Sequence, residues 1–184
     1  MMIRRVHIVG ASGSGTTTLG ENLGKALNWR HFDTDNYFWL ATEPPYLKQT
    51  LVPERLAAMD RDLSKYETWV LSGSLCGWGD GLIPYFDLVI FLYIPGQLRL
   101  DRLAKREFER YGPKIKVGGD RHQQHLEFIE WASKYDEGGM EVRSKVKHEE
   151  WLNQLTCPVL RIEGDVTVDE KLKLVKQWIS EFDG

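Results

Sequence analysis

The sequence contains little cysteine and no long apolar run. Two cysteines occur among 184 residues, which excludes a disulfide-rich secreted scaffold and suits a reducing cytoplasm. No segment approaches the ~18 consecutive apolar residues that a membrane-spanning helix needs. The net charge is only −3, so there is no broad attraction to nucleic acid or anionic membranes. We therefore expect a cytoplasmic protein without a nucleic-acid or membrane partner.

The chain also lacks internal repeats, low-complexity segments and linkers. Its 42% hydrophobic and 28% charged residues are typical of a globular protein. The length suits one domain, so residues 1–184 are predicted to form a single domain. The oligomeric state stays open between a monomer and a homodimer.

Short apolar runs alternate with helical patterns along the chain. The predicted strands cover residues 5–9, 29–33, 69–72, 88–94 and 159–162. The predicted helices cover residues 16–27, 53–65, 96–110, 122–134, 141–155 and 168–182, and a glycine-rich mobile loop is predicted at 111–120. This order predicts a three-layer α/β/α domain with a five-stranded parallel sheet. Ligands of such domains bind beyond the carboxyl ends of the strands.

A glycine-rich segment lies between the first strand and the first helix. Gly10 and Gly15 have the spacing of Gly-x-x-x-x-Gly-Lys-(Ser/Thr), in which backbone N–H groups surround phosphates. Thr17 occupies the position of the Mg²⁺-binding hydroxyl, but Thr16 stands where the lysine belongs. The backbone contribution survives this loss of charge. We predict a phosphate site made of Gly10, Ser12, Gly13, Ser14, Gly15, Thr16, Thr17 and Thr18, the alternative being a turn that only caps the helix.

Two acidic residues, Asp33 and Asp35, follow the second predicted strand. Paired carboxylates near a Mg·phosphate can bind the waters of the ion or orient an attacking hydroxyl. The alternative is a solvated turn, in which aspartate is common.

The helix after the fourth predicted strand is basic. Its arginines are spaced to share much of one face, where like charges repel each other: Arg99, Arg102, Arg106 and Arg110. Bound phosphate would relieve this repulsion, and these charges could replace the one missing at Thr16. The alternative is a solvated basic face.

The third predicted strand ends in a small-residue segment with hydroxyls and exposed backbone. We predict an acceptor pocket built from Ser72, Gly73, Ser74, Trp78 and Trp39. The alternative is a glycine-rich connection closed by core tryptophans. Cys76 has no base spaced near it, so nucleophilic catalysis by cysteine is rejected.

Through these segments the chain resembles the nucleoside-monophosphate kinase and shikimate kinase branch of P-loop proteins. The resemblance covers most of the chain and implies ATP and Mg²⁺ as cofactors. It implies that Asp33 lies on the Mg²⁺ side, together with Thr17, and that Asp35 holds the acceptor. The segment 161–165 is similar to the one that lies near adenine in adenylate kinases.

The same resemblance implies roles for four arginines. Arg102 would stack against adenine and Arg106 would touch the terminal phosphates. Residues of about 111–140 would form a lid, with Arg121 and Arg143 as additional lid arginines.

Taken together, the sequence predicts a Mg²⁺-dependent, ATP-binding phosphotransferase with Asp33, Asp35, Arg102 and Arg106 as catalytic residues. The acceptor, a nucleotide or a small hydroxylated metabolite, stays open. Because Thr16 replaces the lysine, the alternative is a nucleotide-binding or regulatory module with little or no transfer activity. A third interpretation is a site for a phosphate compound that is not a nucleotide.

Overall fold

The computed structural model describes residues 2–43 and 45–183 and contains the predicted alternation of strands and helices. The strands are β1 (Arg5–Gly10), β2 (Arg30–Asp33), β3 (Trp69–Ser72), β4 (Leu88–Tyr93) and β5 (Val159–Glu163). The α-helices are α1 (Thr16–Leu27), α2 (Asp35–Phe38), α3 (Val52–Leu63), α4 (Gly96–Tyr111), α5 (His122–Ser133), α6 (Lys145–Leu152) and α7 (Val168–Asp183). Short 3₁₀ helices lie at Asp80–Tyr85 and Gly112–Ile115.

All five strands run parallel, in the order β2-β3-β1-β4-β5. The predicted five-stranded parallel sheet is therefore confirmed. The strand order changes direction at β1, because β2 and β3 lie on one side of β1 and β4 and β5 lie on its other side. A crevice forms at such a switch point beyond the carboxyl ends of the strands.

Helices cover both faces of the sheet, each over its own apolar core. On one face, Leu19 and Leu23 of α1 and Val175 of α7 pack against the strands. On the other face, Met59 of α3 and Trp151 of α6 do so. Burial on both faces explains why the central strands read as nearly continuous apolar runs.

Three short elements differ from the prediction. Helix α6 begins at Lys145 rather than at residue 141, because the Ser144 hydroxyl caps it by accepting a hydrogen bond from the Lys147 N–H at 3.1 Å. The segment predicted as a loop at 111–120 contains a 3₁₀ helix with Ile115 buried. Helix α2 is only one turn long and leaves no periodicity to detect. No helix within residues 2–43 and 45–183 is long and apolar enough to cross a membrane.

Candidate active site

A cleft of about 1400 Å³ opens at the carboxyl ends of the strands. The loops after β1, β2, β3 and β5 form its floor, and α4 and α5 contribute further walls. Parallel strands bring their carboxyl ends to one edge, so segments far apart in sequence meet here.

The glycine-rich segment forms a loop from β1 into α1. Gly13 and Gly15 have φ of +83° and +89°, a backbone conformation that side chains with a Cβ disfavour. A Cβ on Gly13 would also lie 2.8 Å from the carbonyl oxygen of Arg99, at the start of α4. The loop is thus fixed by its backbone conformation and by close packing. Its N–H groups and the N-terminus of α1 suit an anionic ligand.

Most of the predicted phosphate-site residues line the cleft: Gly10, Ser12, Gly13, Gly15, Thr16, Thr17 and Thr18. Ser14 does not, because its side chain is fully buried. Its Oγ has no hydrogen-bond partner among the described residues. The Ser14 side chain is therefore not part of the cleft surface.

A hydrogen-bond network connects this loop to the ends of β2 and β3. The Thr17 hydroxyl donates to Asp33 Oδ2 at 2.7 Å, and the Ser72 hydroxyl donates to the same oxygen at 2.9 Å. The Asp35 N–H donates to Asp33 Oδ1 at 2.9 Å. Ser72 accepts from His31 Nε2, 2.9 Å away. Three donors thus fix the Asp33 carboxylate directly beside the Thr17 hydroxyl.

This network also defines the place of Ser72, which was predicted to be in the acceptor pocket. Ser72 is fully buried and does not line the cleft. It supports Asp33 from behind, while Gly73 and Ser74 reach the cleft surface. Because the Ser72 proton is donated to Asp33, His31 donates to Ser72 through Nε2. Burial lowers the pKa of His31 below its ordinary value.

Asp35, two residues after Asp33 and at the start of α2, also lines the cleft. Desolvation by the surrounding walls raises the pKa of its carboxyl, and the charge of Asp33 adds to this effect. Arg143, Arg106 and Arg110 act in the opposite direction. An acid on α2 and arginines from the opposite wall therefore share one end of the cleft.

The basic face of α4 divides into two parts. Arg102, Arg106 and Arg110 line the cleft, whereas Arg99 is fully buried. Arg99 donates to Ile94 O at 3.1 Å and to Asp136 Oδ2 at 2.6 Å. The prediction that Arg99 shares the ligand-facing surface was wrong, because the start of α4 lies under the α5–α6 connection.

The two arginines that were predicted to be catalytic have different surroundings. Arg102 donates to Asp165 Oδ1 at 2.5 Å, which connects α4 to the loop after β5. Arg106 is exposed within the cleft. Lys171, on α7 beside this loop, is 4% exposed and also lines the cleft. Sequence analysis missed Lys171, because a lysine on an amphipathic helix carries no distinguishing signal.

Both of the predicted lid arginines reach the cleft. Arg121 is 9% exposed, lies 4.1 Å from the centre of the Tyr111 ring, and has a buried Nη2 without a partner among the described residues. Arg143 stacks on Trp131 at 5.4 Å. Burial lowers the pKa of the Arg143 guanidinium. Such desolvated cations favour an anionic ligand.

Aromatic side chains wall the end of the cleft that contains Asp35: Phe38, Trp39, Tyr46, Trp78, Phe128 and Trp131. Trp39 pairs with Gln49 across an antiparallel bridge, and Tyr46 contacts Trp39 edge-on at 5.9 Å. Arg110 donates to the Tyr46 hydroxyl at 3.3 Å. The predicted Trp39 and Trp78 are therefore in the same wall, together with Tyr46 and Trp131, which the sequence analysis did not name as pocket residues.

Cys76 also lines this end of the cleft. Burial raises the pKa of its thiol to about 11, which keeps it protonated near neutral pH. A protonated thiol is a poor nucleophile, in agreement with the rejection of cysteine catalysis.

Comparison with known proteins identifies related sequences. The family AAA_18, described as an AAA domain, matches residues 6–126. The chain is 50% identical over 179 residues to the uncharacterized protein YqaC of Bacillus subtilis, covering 97% of this chain and 99% of that protein. It is 30% identical over 133 residues to a cytidylate kinase of Haloarcula marismortui, covering 65% of this chain and 68% of the kinase.

The fold has well-known counterparts as well. The shikimate kinase from Acinetobacter baumannii in complex with shikimate superposes with a TM-score of 0.55 at 18% identity, covering 97% of this chain and 94% of the kinase. The matched region of the family includes the phosphate loop, the Asp33 network and α4. The chain therefore belongs to the AAA domain family AAA_18, has the P-loop kinase fold seen in the shikimate kinase, and has a cytidylate kinase among its relatives.

Proposed function

We propose that this protein is a Mg²⁺-dependent phosphotransferase that moves the γ-phosphoryl group of ATP to a small acceptor. The observation that carries the proposal is the hydrogen bond between Thr17 and Asp33 at the start of α1. A hydroxyl at the end of a phosphate loop, fixed against a carboxylate, is the oxygen set that a Mg·nucleotide site needs.

The two residues of this contact offer the oxygen atoms that Mg²⁺ prefers. The ion prefers oxygen ligands and keeps several of its waters, and the Thr17 hydroxyl and the Asp33 carboxylate are 2.7 Å apart. Thr17 would bind the ion directly and Asp33 would hold its waters. When bound, Mg²⁺ neutralises negative charge on the phosphate oxygens.

The cations of the cleft take over the task of the absent lysine. Thr16 offers a hydrogen bond without charge, while α4 brings Arg102 and Arg106 and the lid region brings Arg121 to the same cleft. Charge stabilisation in phosphoryl transfer depends on where cations stand in the closed complex, not on which segment supplies them. The lid at residues 111–140 is part of this proposal, because its closure would bring these charges to the phosphates.

Asp35 serves the acceptor in this proposal. Its raised pKa, caused by desolvation and by Asp33, makes the carboxylate a stronger base for the proton of an attacking hydroxyl. The acceptor oxygen forms a bond to the γ-phosphorus, the bond to the β-phosphate oxygen breaks, and ADP leaves. The proton of a hydroxyl acceptor passes to Asp35, whereas a phosphate or carboxylate acceptor attacks without a proton.

One observation favours a second candidate, a nucleotide-binding module with little transfer activity. The chain has threonine at position 16, where the motif has a lysine that meets the β- and γ-phosphates. Without that charge the nucleotide can still bind through the backbone of the loop.

Calorimetry with Mg·ATP, followed by an acceptor screen, tests both candidates. Affinity in the micromolar to low millimolar range that falls on chelation of Mg²⁺, together with ADP formation that depends on an acceptor, supports the phosphotransferase. Binding without ADP formation across a screen of nucleoside monophosphates and hydroxy acids supports the module. No binding at several millimolar Mg·ATP would overturn both.

A further inference from the structure

A buried histidine lies directly behind the acceptor end of the cleft. His148 of α6 is fully buried, yet both of its ring nitrogens have partners. Nδ1 is 2.7 Å from the Tyr135 hydroxyl, and Nε2 is 3.1 Å from Ser74 Oγ. Ser74 lines the cleft. A chain of hydrogen bonds therefore runs from the protein interior to the cleft surface.

The positions of the protons follow from the partners available. Burial lowers the pKa of His148 to about 3, so its ring is neutral and has one donor and one acceptor nitrogen. Tyr135 is 3% exposed, and a buried hydroxyl proton needs an acceptor. His148 Nδ1 is the acceptor beside it. Tyr135 thus donates to Nδ1, and the proton of His148 is on Nε2.

This arrangement determines what Ser74 can offer. Because His148 Nε2–H donates to Ser74 Oγ, the proton of Ser74 is available to the cleft side. Cys76 lines the same end of the cleft, and burial keeps its thiol protonated. Ser74 is therefore held as a hydrogen-bond donor toward a ligand.

A cation lines the same cleft as this donor. Arg143 is a cleft residue, and its charge opposes protonation of the His148 ring behind Ser74. Its guanidinium is desolvated and stacks on Trp131. A hydroxyl donor and a desolvated cation together favour an oxygen that carries negative charge.

We infer that Ser74 and Arg143 bind an anionic oxygen of the acceptor, and that His148 and Tyr135 are positioning residues that keep Ser74 a donor. The inference rests on the proposed function, since it makes this end of the cleft the acceptor site. The oxygen belongs to a phosphate, as in a nucleoside monophosphate, or to a carboxylate, as in a hydroxy acid.

The surrounding fold fixes Tyr135 and Arg143 in position relative to the phosphate loop. The Lys145 N–H donates to Tyr135 O at 2.7 Å, which closes the connection that carries Arg143. Arg99 lies 4.7 Å from the centre of the Tyr135 ring, and its carbonyl oxygen abuts Gly13 of the phosphate loop. The acceptor and phosphate sites are thus joined through the start of α4.

Nitrogen-15 NMR of the histidine side chains tests the positioning role without any ligand. We expect the protonated nitrogen of His148 to be Nε2, and Tyr135→Phe to remove this single preference while keeping the ring that packs on Arg99. A proton on Nδ1 in the wild-type protein would overturn the inference. This measurement stands even if nucleotide binding fails.

Calorimetry with two pairs of probes tests the anion site. Cytidine monophosphate is compared with cytidine, and shikimate with its methyl ester. One charged probe should bind, and Ser74→Ala should weaken it by about tenfold or more, as expected for a hydrogen bond to a charged group. Preference for the phosphate or for the carboxylate probe identifies the source of the oxygen.

Variants at His148 and a surface serine complete the test. His148→Leu should weaken the charged probe as much as Ser74→Ala does, and His148→Gln, which retains a donor and an acceptor, should restore part of the loss. Ser64→Ala, on an exposed serine, should have no effect. Mg·ATP affinity should stay unchanged in all four variants. Equal binding of charged and uncharged probes, or no binding of any probe by a protein that binds Mg·ATP, would overturn the inference.

Discussion

The hydroxyl of Thr17 donates a hydrogen bond of 2.7 Å to the carboxylate of Asp33. This contact joins the phosphate loop after β1 to the end of β2, two segments that β3 separates in the sheet. It brings together the hydroxyl that would bind Mg²⁺ and the carboxylate that would hold the waters of the ion.

Replacing Asp33 tests that site directly. We expect Asp33→Asn to weaken Mg·ATP binding by at least about tenfold and to remove most of the Mg²⁺ dependence, because an amide holds the waters of the ion less strongly than a carboxylate. Calorimetry with Mg²⁺ and with a chelator measures both effects. Asp101→Asn, on the exposed side of α4, is the matched control. Unchanged Mg²⁺ dependence in Asp33→Asn would contradict the assignment.

Restoring the missing lysine tests where the phosphates lie. Thr16→Lys should strengthen Mg·ATP binding by about tenfold to a hundredfold, since a charge-assisted hydrogen bond contributes about 1.5–3 kcal/mol. Thr16→Met, which has comparable length without charge, separates the effect of charge from that of size. If both variants bind alike, the phosphates do not lie against position 16.

Removing Arg106 from α4 should slow phosphoryl transfer, whereas removing the neighbouring Lys105 should not. Arg106→Ala is expected to lower acceptor-dependent ADP formation by about a hundredfold to a thousandfold, the usual cost of removing one group that stabilises charge in the transition state. Lys105→Ala should leave the rate unchanged, because Lys105 is exposed and pairs only loosely with Glu109 at 3.9 Å. Initial rates under saturating Mg·ATP measure the difference, and equal rates would remove Arg106 from the proposed machinery.

Substituting a glycine of the phosphate loop should lower the free energy of unfolding. Gly13→Ala should destabilise the fold by about 2–3 kcal/mol, because φ is +83° and the new Cβ would lie 2.8 Å from Arg99 O. Gly81→Ala should stay within about 1 kcal/mol, since nothing lies within 4 Å of a Cβ there. Urea denaturation measures both free energies of unfolding. Similar midpoints would contradict the close packing of the loop on α4.

Stability should fall as the pH is lowered below neutrality. His7 is fully buried and stacks on Phe86 at 4.8 Å, and burial lowers its pKa from 6.5 to about 4. Because the folded state disfavours the charged ring, protonation of His7 favours the unfolded state. The free energy of unfolding is therefore not reduced by His7 above pH 6.5, and it decreases as the pH falls from 6.5 toward 4. The decrease amounts to about 3 kcal/mol. His148, with a pKa lowered to about 3, acts in the same direction.

Unfolding free energies at several pH values test this dependence. His7→Gln, which keeps a donor for Leu71 O but does not titrate, should flatten the curve between pH 6.5 and 4. Ser64→Ala, at an exposed serine that does not titrate, is the control and should keep the wild-type slope. Parallel curves for wild type and His7→Gln would show that His7 does not carry the effect.

The fold followed from local patterns in the sequence. The predicted helix at 16–27 and the predicted strand at 69–72 have the bounds of α1 and β3, because apolar spacing and the glycine loop are properties of consecutive residues. The phosphate loop was found for the same reason. Its function depends on backbone conformation, and glycines at fixed spacing encode that conformation directly.

The contacts of the candidate site depended on packing between distant segments. Helical spacing placed four arginines on one face of α4, but only the packed α5–α6 connection decided that Arg99 is buried while Arg106 faces the cleft. Nothing in the sequence connected Ser74 with His148, 74 positions away. The sequence by itself determined the sheet, the loop and the approximate ligand edge. The tertiary structure decided which polar side chains meet there, because burial and hydrogen-bond partners come from neighbours that only the completed fold supplies.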